Sequence, residues 1–532
     1  MRPQEEPTHH PWSQPAPHPG LLVCHPSGKL DGDPGSMWQP TPATDDGHVT
    51  EIIAGLYMSP LEILALLAAV ALVVARWLPP APRPRVTIAA AAVFALSTIV
   101  LGVVGFRWQM LPVLIGAAFS LLFALTPLLR RRSGRPAWRA CWWLALPGSV
   151  ACVGIIATSP VAAWAFPIPT FPELSGTFAV GTRVVQWTDP HRPETFTSDP
   201  NDHRTVVVQL WYPAQKSPAG APRAQYLGRT EHEARIVSDA LAQGVGLPAF
   251  LVDDVSQART HSVFNAPVAA GSARFPVVLF SPGSGGVRTQ NTAWAEELAS
   301  HGYVVAALDH PYDSAAVVLT DGRVIKSATA SSGDADKDEK LAAGWTAIRA
   351  ADLSFVLTQL GSLDGGEIAD PLTGRLDTGR VAVTGHSMGG AAALQAARQD
   401  RRFEAVIDLD GFPHGPASPS LDQPTLALTQ AITSGTDPRY VSRLTDALNS
   451  STATSYRLTI PGAAHLTFMD GPLYLPPVPS IVGSLGRSKS PRVVAGATLA
   501  FLDIVLRDQP GDPASALSAY GQLTVYHPNA GH

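Results

Sequence analysis

The sequence is short of charge. Only 15% of its 532 residues are Asp, Glu, Lys or Arg, against about 25% in ordinary soluble domains. A deficit of that size fits a chain that lies partly in lipid. Positive charge is not in excess either. The 38 Lys and Arg against 43 Asp and Glu leave a net charge of −5, which provides no electrostatic footprint for a nucleic-acid partner. Cysteine is scarce: Cys24, Cys141 and Cys152 are the three, too few for a disulfide framework. With none beyond residue 152, the larger part of the chain has neither a disulfide nor thiol chemistry. Apolar residues, by contrast, make up 45%, which excludes disorder of the whole. The 49 Pro and 45 Gly point to many turns.

Three parts follow along the chain. Residues 1–57 are rich in Pro, His, Gly and Asp without an apolar period and read as disordered. Met58 directly precedes the first apolar run, so Met1 and Met58 are alternative starts, the second leaving residues 1–57 untranslated. Residues 58–166 carry four apolar runs, at 61–78, 86–106, 110–129 and 140–163. Each is close to the ~20 residues that cross ~30 Å of hydrocarbon as a helix. Four such runs in series predict a four-helix transmembrane region, with buried core helices as the alternative. Cys141 and Cys152 fall in the fourth run as small apolar residues. Arg83 and Arg85 lie between the first and second runs, with Arg76 at the end of the first, and Arg130, Arg131, Arg132, Arg135 and Arg139 lie between the third and fourth. Only Arg107 lies between the second and third. The positive-inside rule then puts the two Arg-rich loops in the cytoplasm and both termini outside. The expectation is a multi-pass cell-membrane protein with an extracytoplasmic soluble domain at 168–508 and a polar tail at 509–532.

In the soluble domain, short Val/Leu/Ile-rich runs at 205–213, 275–283, 302–310, 380–387, 405–411, 424–430 and 456–465 read as strands buried on both faces. Between them, apolar residues recur at helical spacing: Leu341, Trp345, Ile348, Ala351 and Phe355, then Val494, Ala497, Phe501 and Ile504. This β–α alternation predicts an α/β fold with a mostly parallel sheet flanked by helices.

One motif carries chemistry. Gly385-His386-Ser387-Met388-Gly389, extended by Gly390, fits G-x-S-x-G with a strand running in and a small-residue helix running out. The glycines are needed because the turn leaves no room for flanking side chains, and the serine is thrust up at a helix N-terminus. A serine hydroxyl needs a base. His465 follows a strand, on a loop suited to a base. His414 has no strand directly before it, and His527 and His532 lie in the tail. For the acid, Asp410 ends the strand after the nucleophile helix, Asp408 is more interior, and Asp437, beyond the next strand, is the alternative. Two backbone N–H groups must face the developing oxyanion. Met388 supplies one, and the turn Ser281-Pro282-Gly283-Ser284-Gly285-Gly286 the other, Ser284 first, with Gly283 or Gly285 as neighbours.

Several blocks in order resemble the α/β-hydrolases of the plasma-type platelet-activating-factor acetylhydrolase group and their bacterial lipase-like relatives. They are VVQLWYPA, FPVVLFSPGSGGVRT, LASHGYVVAALDHPYDSA, LDTGRVAVTGHSMGGAAALQAARQDRRFEAVIDLDGFP and IPGAAHLTFMD, within about 205–470. The resemblance implies an α/β-hydrolase fold, with Ser387 as nucleophile, His465 as base, Asp410 as acid and Ser284 with Met388 as oxyanion donors. It implies lipid-type esters as substrates. Pro282 departs from the family, which usually has His there, and the apolar region before residue 166 lies outside the resemblance.

The expected function is therefore membrane-anchored serine ester hydrolysis through an acyl-enzyme, with no metal or cofactor. The expected partners are a lipid or small acyl-ester substrate and the membrane. Polyester, lactone or peptide hydrolysis, or a non-catalytic binding domain, are the alternatives. The insert 215–270 is expected either to wall an acyl pocket or touch the membrane, or to pack as a plain surface excursion. His310 and Tyr312, before a hairpin at 317–325, are candidates for the site mouth.

Overall fold

The computed structural model describes residues 57–132, 141–218, 220–329, 331–415, 420–432 and 436–528. The segment 1–56, read above as disordered, lies outside the described residues, as do Cys24, Arg135, Arg139 and His532.

The apolar region forms four helices: α1 (Pro60–Ala75), α2 (Arg83–Val104), α3 (Leu111–Arg132) and α4 (Trp142–Ala165). Ser59 caps α1 and exchanges hydrogen bonds with Glu62 in a capping box. The helices pack through small residues: a Cβ on Gly116 of α3 would lie 2.6 Å from Ile156 of α4, so glycine permits that close approach. Leu96, Ile99, Val103 and Leu122 point outward and are exposed. Two helical stretches, Arg83–Val104 and Ala145–Ala165, are long and apolar enough to cross a membrane. The other two fall short of the four-crossing expectation for a simple reason. The 16 residues of α1 rise only about 24 Å at 1.5 Å each, and the apolar part of α3 ends at Ala124, before the arginines.

Beyond residue 166 the strands are β1 (Ala179–Pro193), β2 (His203–Ala214), β3 (Arg223–Gln225), β4 (Arg259–Phe264), β5 (Phe275–Ser281), β6 (Val304–Asp309), β7 (Ala316–Val318), β8 (Val324–Lys326), β9 (Leu376–His386), β10 (Ala405–Leu409), β11 (Thr425–Thr429), β12 (Ser455–Thr459) and β13 (Gln522–Tyr526). The helices are α5 (Glu231–Gly244), α6 (Thr292–Ser300), α7 (Ala335–Asp364), α8 (Met388–Gln399), α9 (Pro438–Asn449), α10 (Gly471–Tyr474), α11 (Pro479–Val482), α12 (Lys489–Val505) and α13 (Pro513–Leu517). Among the described residues, eleven strands form one sheet in the order β13-β12-β11-β10-β9-β5-β6-β2-β1-β4-β3. From β12 to β6 every pairing is parallel. β2 and β13 join antiparallel at the two sides. One apolar core lies on each face: α7 and α8 cover one, α6 and α12 the other.

Two features were not legible in advance. β1 has no continuous apolar run because it is only partly buried, and it pairs with β2 from Ala179↔Ala214 onward. The stretch 509–532, read as a polar tail, carries α13 and β13. β13 is a half-exposed edge strand paired with β12, and its cue was correspondingly weak.

The topology places the site. From β5 the chain passes through α6 to β6 on one side, then through α7 to β9 on the other. Loops leaving the carboxyl ends of β5 and β9 thus diverge and open a crevice at this switch point. The turn 281–286 and Ser387 flank it.

Candidate active site

Ser387 stands between β9 and α8 with φ +56° and ψ −120°. A non-glycine residue in this region is strained and is held there by its surroundings. The surroundings are tight. A Cβ on Gly389 would lie 2.0 Å from the Ser281 carbonyl oxygen, and one on Gly390 would lie 1.8 Å from Asp408 Oδ1. The glycines of the motif are therefore required by packing. The Ser387 N–H donates to the Leu409 carbonyl at 2.9 Å, tying the elbow to β10.

Ser387, His465, Ser284 and Met388 all line one cavity of about 1030 Å³. His465 Nδ1–H donates to Asp410 Oδ2 at 2.6 Å. A carboxylate can only accept, so this bond fixes the tautomer and leaves Nε2 free to take a proton. The exposures of the two side chains divide the work: 42% for His465 and 1% for Asp410. The imidazole is reachable from the cavity and the carboxylate is not. Among the described residues no hydrogen bond joins Ser387 to His465, as is common before substrate tightens such contacts.

Asp410 is held on every side. Its Oδ1 accepts from the Gln430 N–H at 3.0 Å and the Tyr440 hydroxyl at 2.9 Å, and its Oδ2 also accepts from Gln430 Nε2 at 2.9 Å. Burial pushes the carboxyl up, but the bonds from His465, Gln430 and Tyr440 outweigh it and hold it below the usual carboxylate range. Asp408 behaves oppositely. Burial, and then the neighbouring Asp410 charge, raise it well above the ordinary carboxylate value. Its Oδ1 accepts the Gly411 N–H at 2.9 Å, and its Oδ2 has no partner. The alternative acid Asp437 caps α9 and pairs with Arg439 on the surface. His414 is engaged by Glu339 at 3.3 Å.

The turn after β5 lies against the elbow: a Cβ on Gly283 would be 3.6 Å from Ser387 Cβ. Buried groups hold it. Arg349 of α7 donates to the Pro282 carbonyl, and at 3.0 Å to the Gly283 carbonyl, while its Nε pairs with Asp313 at 2.5 Å. In a trans peptide C=O and N–H point oppositely, so anchoring the Gly283 oxygen inward turns the Ser284 N–H away from Arg349. Pro282 therefore serves through its carbonyl, and its missing N–H leaves no gap there.

His386, the variable residue of the motif, joins three parts of the site. Its Nε2–H donates to the His465 carbonyl at 3.1 Å, and its Nδ1 accepts from Gln290 Nε2 at 2.9 Å. Gln290 Oε1 in turn accepts the Gly283 N–H at 3.3 Å. Burial, then the neighbouring His465, pushes His386 down to about 3, so it remains neutral.

A second Ser–His–Asp chain lies deeper. Ser281 Oγ is 2.9 Å from His310 Nε2, and His310 Nδ1 is 2.8 Å from Asp352. All three are fully buried and none lines the cavity, so the bonding pattern alone does not make a nucleophile. His310 therefore does not border the mouth as expected. Tyr312 is not among the lining residues either; it stacks on Phe196 at 5.3 Å. The mouth has Phe196 itself, stacked on Trp345 at 4.6 Å, with Leu341 nearby on α7. Phe196 lies in a sequence stretch without periodicity and gave no signal. Arg349, Gln290, Gln430 and Tyr440 were missed for a different reason: their roles depend on contacts between distant segments. The insert carries α5 and the 3₁₀ segment Ala249–Gln257, and both wall the cavity through Leu241, Val245, Val252 and Val255. Among the described residues no cluster of metal-binding side chains occurs.

Comparison with known proteins gives a consistent picture. A family model described as platelet-activating factor acetylhydrolase, isoform II, matches residues 165–508. The platelet-activating factor acetylhydrolase of Cavia porcellus is 30% identical over an alignment of 236 residues that covers 40% of this chain and 52% of that protein. The protein of the same name from Canis lupus familiaris is 27% identical over 264 residues, 45% of this chain and 55% of that one. The chain thus spans about half the length of these curated relatives. Among solved structures, a ferulic acid esterase from Streptomyces cinnamoneus aligns with a TM-score of 0.53 at 30% identity, covering 66% of this chain and 98% of that one.

Proposed function

The chain belongs to the platelet-activating factor acetylhydrolase isoform II family, and from that membership we propose that it is a serine hydrolase of carboxylic esters. One observation carries the reading. A strained serine at a strand–helix elbow shares a cavity with a histidine whose proton-bearing nitrogen is tied to a buried carboxylate. In the proposed mechanism His465 Nε2 removes the Ser387 proton as the hydroxyl attacks the ester carbonyl. Asp410 holds the imidazole tautomer and offsets its charge. The N–H groups of Ser284 and Met388 receive the oxyanion. The alcohol leaves with the proton from His465, and water then cleaves the acyl-enzyme by the same route.

Lipid-type esters are the proposed substrates. The size of the cavity and its apolar walls, including Leu227, Leu247 and Val255, support an acyl chain over a small polar ligand. The apolar helices are the proposed membrane anchor, with the hydrolase domain outside the cytoplasm. Two helices of spanning length support the anchor, and the arginines between the first two and last two runs support the orientation.

The test is fluorophosphonate labelling of the full-length protein in membranes, comparing wild type with Ser387→Ala and His465→Ala. Labelling that requires both residues supports an activated serine. Absence of labelling in folded wild type would remove the hydrolase reading in favour of a binding domain.

A further inference from the structure

The apolar helices do more than hold the chain near a surface. Arg107, in the connection between α2 and α3, is 7% exposed and reaches across to the insert. Its Nε donates to Asp254 Oδ2 at 2.8 Å, and Gln109 Nε2 donates to the same oxygen at 2.7 Å. Arg107 also donates to the Tyr57 carbonyl at 3.0 Å and pairs with Glu62 of α1 at 3.4 Å. Between them, Trp108 packs edge-on against Phe250, with ring centroids 5.3 Å apart. Asp254 itself is 3% exposed. Its neighbours in the 3₁₀ segment, Val252 and Val255, face the cavity. A second tie leaves the end of α4: Arg487 Nη2 donates to the Trp164 carbonyl at 2.6 Å and reaches the Leu475 carbonyl at 3.5 Å. Leu475, like His465, lines the cavity.

These cavity walls are not part of the two sheet cores. Val252 and Val255 belong to a separate apolar cluster in which α5 packs on Val287, Ala293 and Ala316 of the hydrolase domain, so their distance from Ser387 depends on that packing together with what borders the cluster on its other side. We propose that the helical bundle is that border: the Arg107–Asp254 and Arg487–Trp164 junctions hold the walls, and the helices thereby determine which acyl chains the site accepts. The proposal rests on the hydrolase reading of the cavity. At the Arg107–Asp254 junction the physical basis is that a buried charged pair tolerates little displacement, because removing one partner strands the other without water. The Arg487 junction is a more exposed hydrogen bond to a backbone carbonyl, with the guanidinium also lying over the Trp164 ring.

The experiment uses the full-length protein in nanodiscs, with Asp254→Ala, Arg107→Ala and Arg487→Ala. Fluorophosphonate labelling measures the elbow, and kcat/KM is read on p-nitrophenyl acetate, butyrate, octanoate and decanoate. Loss of folded fraction scales every substrate alike and leaves the decanoate-to-acetate ratio unmoved. A loosened wall shifts it. The expected result is labelling at the wild-type rate with that ratio altered by about tenfold, the size of a misfitted methylene, mainly through KM. An unchanged ratio in variants that label normally overturns the proposal. If Asp254→Ala does not fold, Arg487→Ala, at the tie to Leu475, decides by the same criterion. Hydrogen exchange of residues 247–257 in Arg107→Ala separates the two readings: should wild type hydrolyse nothing, faster exchange there still reports the tie, and unchanged exchange refutes it.

Discussion

Replacing Asp410 by Asn puts the proposed acid to a sharp test, because the surroundings dictate how the amide must lie. Oδ1 accepts the Gln430 backbone N–H and the Tyr440 hydroxyl; Oδ2 accepts His465 and the Gln430 side chain. A hydroxyl can turn and a glutamine amide can flip, but a backbone N–H in a fixed loop can do neither. The asparagine oxygen is therefore forced to the Oδ1 position, and its NH₂ faces His465 Nδ1. That donor pins the imidazole proton on Nε2, where the Ser387 proton has to go. The fold is retained and the tautomer is wrong, so kcat on p-nitrophenyl acetate falls by about 10⁴-fold, roughly 5.5 kcal/mol in the barrier. Steady-state hydrolysis and the fluorophosphonate labelling rate measure this, with circular dichroism as the check on folding and Asp437→Asn as the control that retains full activity. An Asp410→Asn enzyme within tenfold of wild type would refute the assignment, and loss of activity in Asp437→Asn would transfer the role to that residue.

Three further outcomes follow from the same geometry. Asp408, buried and raised well above the ordinary carboxylate value, contributes stability below its unfolded pKa that is lost as pH rises towards its folded one. Asp408→Asn should therefore gain stability relative to wild type by up to about 1.4 kcal/mol per pH unit in that window, seen as a melting temperature that improves more at pH ~8 than at pH ~5; a difference independent of pH contradicts it. Gly389→Ala places a methyl 2.0 Å from the Ser281 carbonyl and should abolish labelling of Ser387 while costing about 1–3 kcal/mol of stability; normal labelling would mean that the elbow can yield. Phe196→Ala removes the ring stacked on Trp345 at the mouth and should raise KM for decanoate more than for acetate, by about tenfold, with the labelling rate of Ser387 as the check that the elbow is intact.

Much of the candidate site was readable from the chain because its parts are local. The elbow needs glycines next to the serine, and Asp410 and His465 each follow a short apolar strand, so adjacent residues carried their own evidence. The parallel sheet was equally legible, since strands buried on both faces must be apolar throughout. β1 and β13 were not, because half-exposed antiparallel strands need no such run. His310 is the instructive failure. Its neighbours suggested a place at the mouth, yet it lies fully buried between Ser281 and Asp352.

The sequence by itself determined the α/β order, the elbow and the apolar helices, because each follows from the periodicity or tightness of a continuous segment. Only the tertiary structure decided that Ser387 and His465 open to a cavity while Ser281, His310 and Asp352 are shut away from it, and that Asp408 and Asp410 have such different surroundings. It alone decided that Arg349 anchors the turn after β5 and that Arg107 meets Asp254, 147 positions away. Burial and long-range pairing are properties of where segments meet, and no local pattern records them.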